Sequence, residues 1–241
     1  IGNVSEEKRK LVRVVKECVE LGLEQVKPWG FLGDMSQAVY DHATENGYQV
    51  VAPDLRACGK SEGNYVGMGW LDRLDIISWI NWIIEQDPDA QIVLHGVSMG
   101  AATVMMTSGE TLPENVKVFV EDCGYTSTWE IFANELKLRF NLPEFPLMQT
   151  ASLIASNKAG YDFKEASSLT AVSKCERPML FIHGTADDFI PYSMMNELYE
   201  AKPGTNKQML TAKGATHANS LYLLGESYWD TVFDFINKYI K

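Results

Sequence analysis

The sequence has little positive charge and few cysteine or histidine residues. Lys and Arg number 21 against 32 Asp and Glu, which gives a net charge of −11 at pH 7. Because a phosphate backbone or an anionic membrane surface attracts the opposite charge, neither nucleic acid nor such a membrane is an expected partner. Cys18, Cys58, Cys123 and Cys175 are widely spaced, without a Cys-x-x-Cys pair. The sequence therefore predicts no metal site, no cofactor and a reducing, cytoplasmic location.

Long apolar runs are also missing. No stretch is long enough to span a bilayer, and no signal-peptide pattern opens the chain. The first residue is Ile1 rather than Met, so the loss of a preceding targeting or anchor segment stays open as an alternative. A length of 241 residues, 46% of them hydrophobic, predicts a single domain over residues 1–241 with a substantial core.

Helical and strand patterns alternate from about residue 33 onward. The predicted strands are 48–53, 91–95, 116–120, 179–183 and 208–211, and the predicted helices are 34–46, 68–86, 99–109, 193–201 and 226–240. Strands that alternate with helices indicate an α/β fold with a mostly parallel, doubly wound sheet flanked by helices.

Two stretches do not follow this alternation. Residues 125–172 look helical and loop-like, are divided by Pro143 and Pro146, and are too long for a simple crossover connection. We interpret them as a helical lid over the active-site end of the sheet. Residues 1–28 resemble an amphipathic helix more than a strand, and form an atypical N-terminal segment.

A serine lies at the centre of Gly96-Val97-Ser98-Met99-Gly100, between a predicted strand and a predicted helix rich in small residues. Glycines on both sides allow the sharp turn that projects a serine side chain above a sheet. The helix N-terminus beside it favours developing negative charge. The pattern predicts that Ser98 is a nucleophile, which requires a base, an orienting acid and oxyanion donors.

The base must come from four histidines. In folds with this serine turn, the acid and then the histidine follow the serine along the chain, which removes His42 and His95. His183 ends a predicted strand and is a plausible structural residue. His217 lies in the loop after the last predicted strand, from which it can reach Ser98, and is the predicted base.

The acid is predicted in the segment 183–191, at the carboxyl end of a strand, where sites of open α/β sheets form. Asp187 and its neighbour Asp188 compete, and the spacing Gly-x-x-Asp-x-x-Ile-Pro favours Asp187. Asp122, which follows an earlier predicted strand, is the remaining alternative.

These motifs resemble the α/β-hydrolase superfamily, and more closely its bacterial serine-aminopeptidase-like and acylglycerol-lipase-like branch. The matching segments are 96–100, 183–191, 214–217 and 48–63. In the last of these, Ala57 and Cys58 depart from the usual Arg-Gly-x-Gly-x-Ser pattern. The resemblance covers roughly residues 30–241 and implies an α/β-hydrolase fold with a helical lid.

The resemblance also implies roles for individual residues. Ser98 would be the nucleophile, Asp187 the acid and His217 the base. The backbone N–H of Met99 would be one donor of the oxyanion hole, and that of Phe31 the other.

The N-terminal segment departs from the family. Three more strands usually precede the loop that contains Phe31, and Trp29 replaces its usual histidine. Residues 1–28 contain no convincing central strand, with residues 23–26 as the best short candidate. We expect a truncated or rearranged N-terminus with the catalytic residues retained; a degenerate strand, or loss of activity, are the alternatives.

The function expected from these patterns is that of a serine hydrolase that cleaves carboxylic esters through an acyl-enzyme, as carboxylesterases and lipases do. The substrate would be a small-molecule ester or amide. Lid residues Phe140, Phe145, Leu147 and Met148 are candidates for an apolar acyl site. The alternatives are an aminopeptidase-like serine peptidase with the same triad, and a catalytically impaired binding protein with a hydrolase fold.

Overall fold

A computed structural model describes Asp41 and residues 43–240. The chain divides into two compact parts between residues 53 and 54. In the first part, Asp41 and residues 43–45 are helical, and the helix ends in a turn at Asn46 and Gly47. The Gly47 N–H donates to the Thr44 carbonyl at 3.0 Å, and its φ of 84° suits a residue without a side chain. The predicted helix end is thus confirmed, while residues 34–40 lie outside the described residues.

Residues 48–53 do not form the predicted strand. An apolar run becomes a strand only when the backbone groups of a neighbouring strand pair with it, and this pairing is not encoded in the run itself. The prediction for this segment was wrong.

The second part, residues 54–240, contains a parallel sheet of four strands in the order β1-β2-β3-β4. The strands are β1 (Ile92–Val97), β2 (Val116–Asp122), β3 (Met179–Gly184) and β4 (Lys207–Ala212). They confirm the strands predicted at 91–95, 116–120, 179–183 and 208–211, with differences of one or two residues at their ends.

Eight helices accompany the sheet within residues 54–240. They are α1 (Asp72–Gln86), α2 (Met99–Ser108), α3 (Thr128–Phe140), α4 (Glu144–Ala159), α5 (Ser168–Val172), α6 (Tyr192–Ala201), α7 (Ser220–Leu224) and α8 (Glu226–Ile236). The helix predicted at 68–86 begins only at Asp72, because Met68 and Gly69 have φ of 49° and 81°, which no α-helix accommodates.

The core lies on both faces of the sheet. On one face, Phe119 and Phe181 are fully buried in an apolar cluster with side chains of α1, α2, α5 and α6. Side chains alternate along a strand, so the equally buried Val120 and Ile182 point to the opposite face. There, hydrogen bonds join α7 to β2 and α8 to β1. Helices therefore flank the sheet on both sides, as the alternating pattern predicts.

The predicted lid segment contains α3, α4 and α5, between β2 and β3. The side chain of Ser127 caps α3 by accepting a hydrogen bond from the Glu130 N–H. Phe145 interrupts the first turn of α4 with φ −87° and ψ 133°, because the residue before a proline avoids the helical region. A second apolar cluster joins α3 and α4 to α2 and α6. The helical content of 125–172 is confirmed, whereas its function as a lid stays a prediction.

The N-terminal predictions concern residues that the structure does not describe. They include the atypical segment 1–28, the candidate strand 23–26, Trp29 and the oxyanion donor Phe31. Across the described residues, no helix is both long and apolar enough to cross a membrane.

Candidate active site

Ser98 lies in a sharp turn between β1 and α2. Its φ of 57° and ψ of −117° fall in a sparsely populated region, so the surrounding structure must hold this conformation in place. The strand and the helix approach so closely that a side chain at position 96 would lie 2.2 Å from the Gly100 carbonyl oxygen. Only glycine fits at position 96, and the turn therefore depends on it.

The backbone N–H groups of Ser98 and Met99 have different surroundings. The Ser98 N–H donates to the Asp122 carbonyl at 2.8 Å, which ties the turn to the end of β2. Met99 is the first residue of α2, and the first N–H groups of a helix have no acceptor within it. The Met99 N–H is one of these first groups, and its role as an oxyanion donor stays a prediction.

The predicted serine, histidine and acid are connected by two hydrogen bonds. Ser98 Oγ is 2.9 Å from His217 Nε2, and His217 Nδ1 is 2.8 Å from Asp187 Oδ2. Because a carboxylate only accepts, Nδ1 carries the proton and donates to Asp187. Nε2 is then free to accept the Ser98 hydroxyl proton.

The loops that carry Asp187 and His217 are held against each other by their backbones. The Ala186 N–H donates to the Ala215 carbonyl at 3.0 Å, and the Gly214 N–H to Thr185 Oγ1 at 2.8 Å. A side chain at position 184 would lie 2.2 Å from the Ala215 carbonyl oxygen. The glycine at the end of β3 thus allows the two loops to meet.

Asp187 is a buried carboxylate with several donors. Its Oδ1 accepts from the backbone N–H groups of Phe189 and Ile190 at 2.9 and 2.8 Å, and its side chain is fully buried. Burial favours the neutral carboxyl, but hydrogen bonds from His183 and His217 outweigh it and hold the pKa of Asp187 below its ordinary value. Asp187 is therefore ionised at neutral pH.

The two alternative candidates for the acid, Asp188 and Asp122, have different surroundings. Asp188 is exposed to solvent. Asp122 is fully buried, and its Oδ1 accepts from Ser220 Oγ at 3.1 Å. Burial raises the pKa of Asp122 to about 6, which makes it a poorer anion than Asp187.

The remaining histidines have other partners. His42 lies outside the described residues. His95 Nε2 is 3.2 Å from the Tyr228 hydroxyl, and burial lowers the pKa of His95 to about 4, so that the ring is neutral. His183 Nε2 donates to the Ile190 carbonyl at 2.9 Å and lies 3.3 Å from Asp187 Oδ2. This contact with the acid was missed in the sequence, where only the spacing His-x-x-x-Asp could have indicated it.

Phe189 is a second residue that sequence reasoning missed. Its ring meets the His217 ring edge-on, with centroids 5.0 Å apart. The Arg139 guanidinium of α3 is 5.7 Å from the centre of the Phe189 ring. Phe189 therefore links the segment predicted as a lid to the imidazole.

The four predicted acyl-site residues differ in their surroundings. Met148 is buried in the apolar cluster of α3 and α4, whereas Phe140 and Leu147 are half-buried. Phe145 is 73% exposed. One of the four predicted acyl-site residues is thus in the core, two are half-buried and one is on the surface.

Cys123 lies close to the acid and the histidine. Its Sγ, an oxygen of Asp187 and a nitrogen of His217 are all within 4.8 Å of one another, a spacing that a metal ion could bridge. Burial raises the pKa of the Cys123 thiol well above its ordinary value, and the nearby charges of Asp122 and Asp187 add to this effect. Since the thiolate is the metal ligand, this thiol is poorly suited to bind one.

Gly184→Ala should destabilise the protein, because the new methyl group would collide with the Ala215 backbone. We expect the free energy of unfolding to fall by about 1–3 kcal/mol, as overpacking does. Gly100→Ala is the matched control, since nothing lies within 4 Å of a side chain added there. Alanine favours a helix over glycine, so Gly100→Ala should leave the stability unchanged or raise it by about 0.5–1 kcal/mol. Equal losses in denaturant unfolding would contradict the role given to Gly184.

Glu121 should make the protein less stable as the pH rises. It is fully buried, and burial raises its pKa from 4.5 to about 8. Between these values the folded state binds a proton that the unfolded state lacks, so the free energy of unfolding falls by up to about 1.4 kcal/mol per pH unit. Glu121→Gln keeps an oxygen for the Gly124 N–H and should flatten this slope between pH 5 and 8 in thermal unfolding. A slope identical to that of the wild type would refute the assignment.

Comparison with known proteins agrees with this fold. Residues 30–147 match a family model described as the α/β-hydrolase fold. YqkD of Bacillus subtilis is 30% identical over 192 residues, which cover 79% of this chain and 63% of that protein. The membrane protein YNL320W of Saccharomyces cerevisiae is 26% identical over 192 residues, which cover 79% of this chain and 61% of that protein. The chain thus spans less than two thirds of the length of these curated relatives.

Solved structures share the fold. The esterase Pf2001 of Pyrococcus furiosus superimposes with a TM-score of 0.66 and 22% identity, covering 84% of this chain and 76% of that one. A bromoperoxidase from Bacillus anthracis superimposes with a TM-score of 0.59 and 18% identity, covering 87% of this chain and 89% of that one. The family match over residues 30–147 and these structures together show that the chain has the α/β-hydrolase fold.

Proposed function

We propose that this protein is a serine hydrolase that cleaves carboxylic esters through an acyl-enzyme intermediate. The observation that carries the proposal is the continuous hydrogen-bonded series from Ser98 through His217 to Asp187, with distances of 2.9 and 2.8 Å. Each member has the protonation state that the chemistry needs: an ionised acid, an imidazole that donates through Nδ1, and a hydroxyl that donates to Nε2.

The reaction proceeds in two halves. Ser98 Oγ attacks the ester carbonyl carbon while His217 Nε2 takes the hydroxyl proton. The bond to the leaving alcohol then breaks, and His217 returns the proton to the alcohol oxygen, which leaves an acyl group on Ser98. Water attacks this acyl group and gives a proton to His217. The bond to Ser98 Oγ then breaks, His217 returns the proton to Oγ, and the carboxylic acid leaves. Asp187 stabilises the imidazolium that forms in each half.

Negative charge develops on the carbonyl oxygen during each attack. The Met99 N–H at the start of α2 would donate to this oxygen, and the helix N-terminus would add its dipole. The second donor would be the Phe31 N–H, as the resemblance implies. Loss of one such donor costs on the order of 10²- to 10³-fold in turnover, so catalytic efficiency depends strongly on the segment that contains Phe31.

The substrate in this proposal is a small ester with an apolar acyl group. The segment 125–172 would serve as the lid, within one domain that comprises the whole chain. Its half-buried Phe140 and Leu147, and the exposed Phe145, provide apolar side chains that an acyl group could contact. A link between this segment and the triad is supported by Phe189, which touches both His217 and α3.

The described cysteines fit a reducing compartment, and a cytoplasmic location is part of the proposal. Cys58, Cys123 and Cys175 are free thiols, and the last two are buried. Buried thiols behave as small apolar side chains and need no oxidising environment to be stable. The net charge of −11 supports a small-molecule substrate over a nucleic acid.

A fluorophosphonate probe should label the wild-type protein at Ser98, because the probe reacts with a serine that a neighbouring base activates. Ser98→Ala removes the nucleophile, and labelling should disappear while the fold persists. Labelled peptides identified by mass spectrometry check the site of attachment. Folded wild-type protein that takes up no label would refute the proposal and favour a binding protein with a hydrolase fold.

Hydrolysis should be faster with short-chain nitrophenyl esters than with aminoacyl nitroanilides, if the protein is an esterase. Asp187→Asn should lower kcat by roughly 10⁴-fold, since it abolishes the acceptor for the His217 Nδ1 proton. Asp188→Asn is the matched control at the neighbouring, exposed position, and should behave as the wild type. Preferential cleavage of the nitroanilides would assign the same triad to a peptidase.

A further inference from the structure

We propose that His183 is a positioning residue for the triad: its Nε2–H group orients Asp187 toward His217 and limits how strongly Asp187 holds the imidazolium. The kinetic part of this inference rests on the proposed function, whereas the structural part does not. His183 lies in β3, four residues before Asp187. Within the described residues, it forms no hydrogen bond with Ser98 or His217.

The tautomer of His183 follows from its contacts. Nε2 is 2.9 Å from the Ile190 carbonyl oxygen and 3.3 Å from Asp187 Oδ2, and both of these atoms only accept. Nε2 must therefore carry a proton, which it shares between the two acceptors. The side chains of His183 and Asp187 are both fully buried, so water does not compete for this proton.

The contact completes a shell of donors around Asp187. Oδ1 accepts from two backbone N–H groups, those of Phe189 and Ile190. Oδ2 accepts from His217, and His183 Nε2 lies 3.3 Å from the same oxygen. The backbone donors fix one edge of the carboxylate, but only the two imidazoles act on the oxygen that faces the base.

The two imidazoles compete for the same oxygen. Each hydrogen bond to an ionised carboxylate withdraws electron density from it and lowers its basicity. With His183 in place, Oδ2 holds the His217 imidazolium less strongly than it would alone. His217 can then give its proton to the leaving group more readily.

Other groups around His183 bear on its charge. On β2, Glu121 lies on the same face of the sheet, and Asp122 and Glu121 both interact with His183 electrostatically. On α6, the Tyr192 ring meets the His183 ring edge-on at 5.9 Å, and its hydroxyl is 2.8 Å from Thr211 Oγ1 of β4. The third acidic neighbour is Asp187 itself.

These neighbours raise the pKa of His183 above its ordinary value. Burial alone would lower it, but the hydrogen bond to Asp187 and the proximity of Glu121 outweigh burial. Within residues 54–240, His183 Nδ1 and Glu121 Oε1 are buried without a hydrogen-bond partner. Burying His183 Nδ1 without a partner costs free energy, which an apolar side chain at position 183 would avoid. The contact of the Nε2–H group with Asp187 gives a reason for the polar ring.

The test compares two amides that place their N–H group at different positions. Glutamine at position 183 carries an amide near the place of Nε2, whereas asparagine carries it near the place of Nδ1. His183→Gln should keep the contact with Asp187 and retain most of kcat/KM. His183→Asn should lose it and lower kcat/KM by roughly 10- to 100-fold, the range expected for one hydrogen bond to a charged group.

The pH profile separates positioning from mere packing. Without the His183 proton, Asp187 binds the His217 imidazolium more strongly, so the base is protonated at higher pH. The low-pH limb of the kcat/KM profile should therefore move to higher pH in His183→Asn and stay in place in His183→Gln. A packing role would lower activity equally at every pH. Equal profiles in both variants would overturn the proposal.

A nuclear magnetic resonance measurement makes the test independent of turnover. The proton between His217 Nδ1 and Asp187 should resonate at low field in the substrate-free protein. Its position should change in His183→Asn and not in His183→Gln, with thermal unfolding to show that both variants fold. An unchanged resonance in folded His183→Asn would overturn the proposal even if the wild type reacts with no fluorophosphonate. Absence of labelling with the predicted resonance change would instead refute the proposed function alone.

Discussion

Parallel pairing of β1, β2, β3 and β4 is the constraint on which the site depends. Because the strands run in one direction, the segments that follow them all emerge at the same edge of the sheet. Ser98, Cys123, Asp187 and His217 come from four such segments, far apart in the chain. Backbone hydrogen bonds continue past the strand ends, from Ser98 to β2 and from Cys123 to β3, so the segments are tied together in register. The geometry of the candidate site is thus an extension of the sheet.

The edge of the sheet carries three buried carboxylates, and their donors decide which can act as an anion. Glu121 accepts one backbone hydrogen bond through Oε2, and its pKa is raised to about 8. Asp122 accepts from Ser220, and its pKa is raised to about 6. Asp187 is also buried, but two backbone amides and two imidazoles donate to it, and its pKa is lowered. Burial is shared by all three, so the number of donors distinguishes Asp187 from its neighbours.

Much of this arrangement can be read from the sequence because it depends on local patterns. The four strands are short apolar runs bounded by turn residues, and the serine turn requires glycine at position 96. The preference for Asp187 over Asp188 follows from its spacing to the preceding Gly184 and the following proline. The structure supplies the reason: an aspartate at 187 can accept from the amides two and three residues later, while Asp188 points to solvent.

Contacts between distant segments could not be read in the same way. His183 resembles a strand-end residue in the sequence, and only the folded loop brings Asp187 back to its ring. The predicted strand at 48–53 failed for a related reason, since an apolar run does not specify the strand that would pair with it. Local sequence therefore predicts the three residues that the structure brings together. It does not predict which residues hold them in place.

Phe189 shows how such a contact can couple two parts of the site. Its backbone N–H holds Asp187, and its ring packs against His217, so a single residue touches both the acid and the base. Its carbonyl accepts, at 3.5 Å, from the Asn134 amide of α3. A displacement of α3 would be transmitted to Phe189 and then to the hydrogen bond between His217 and Asp187. Because close-packed groups shift together, a substrate that moves α3 would also affect the alignment of the base.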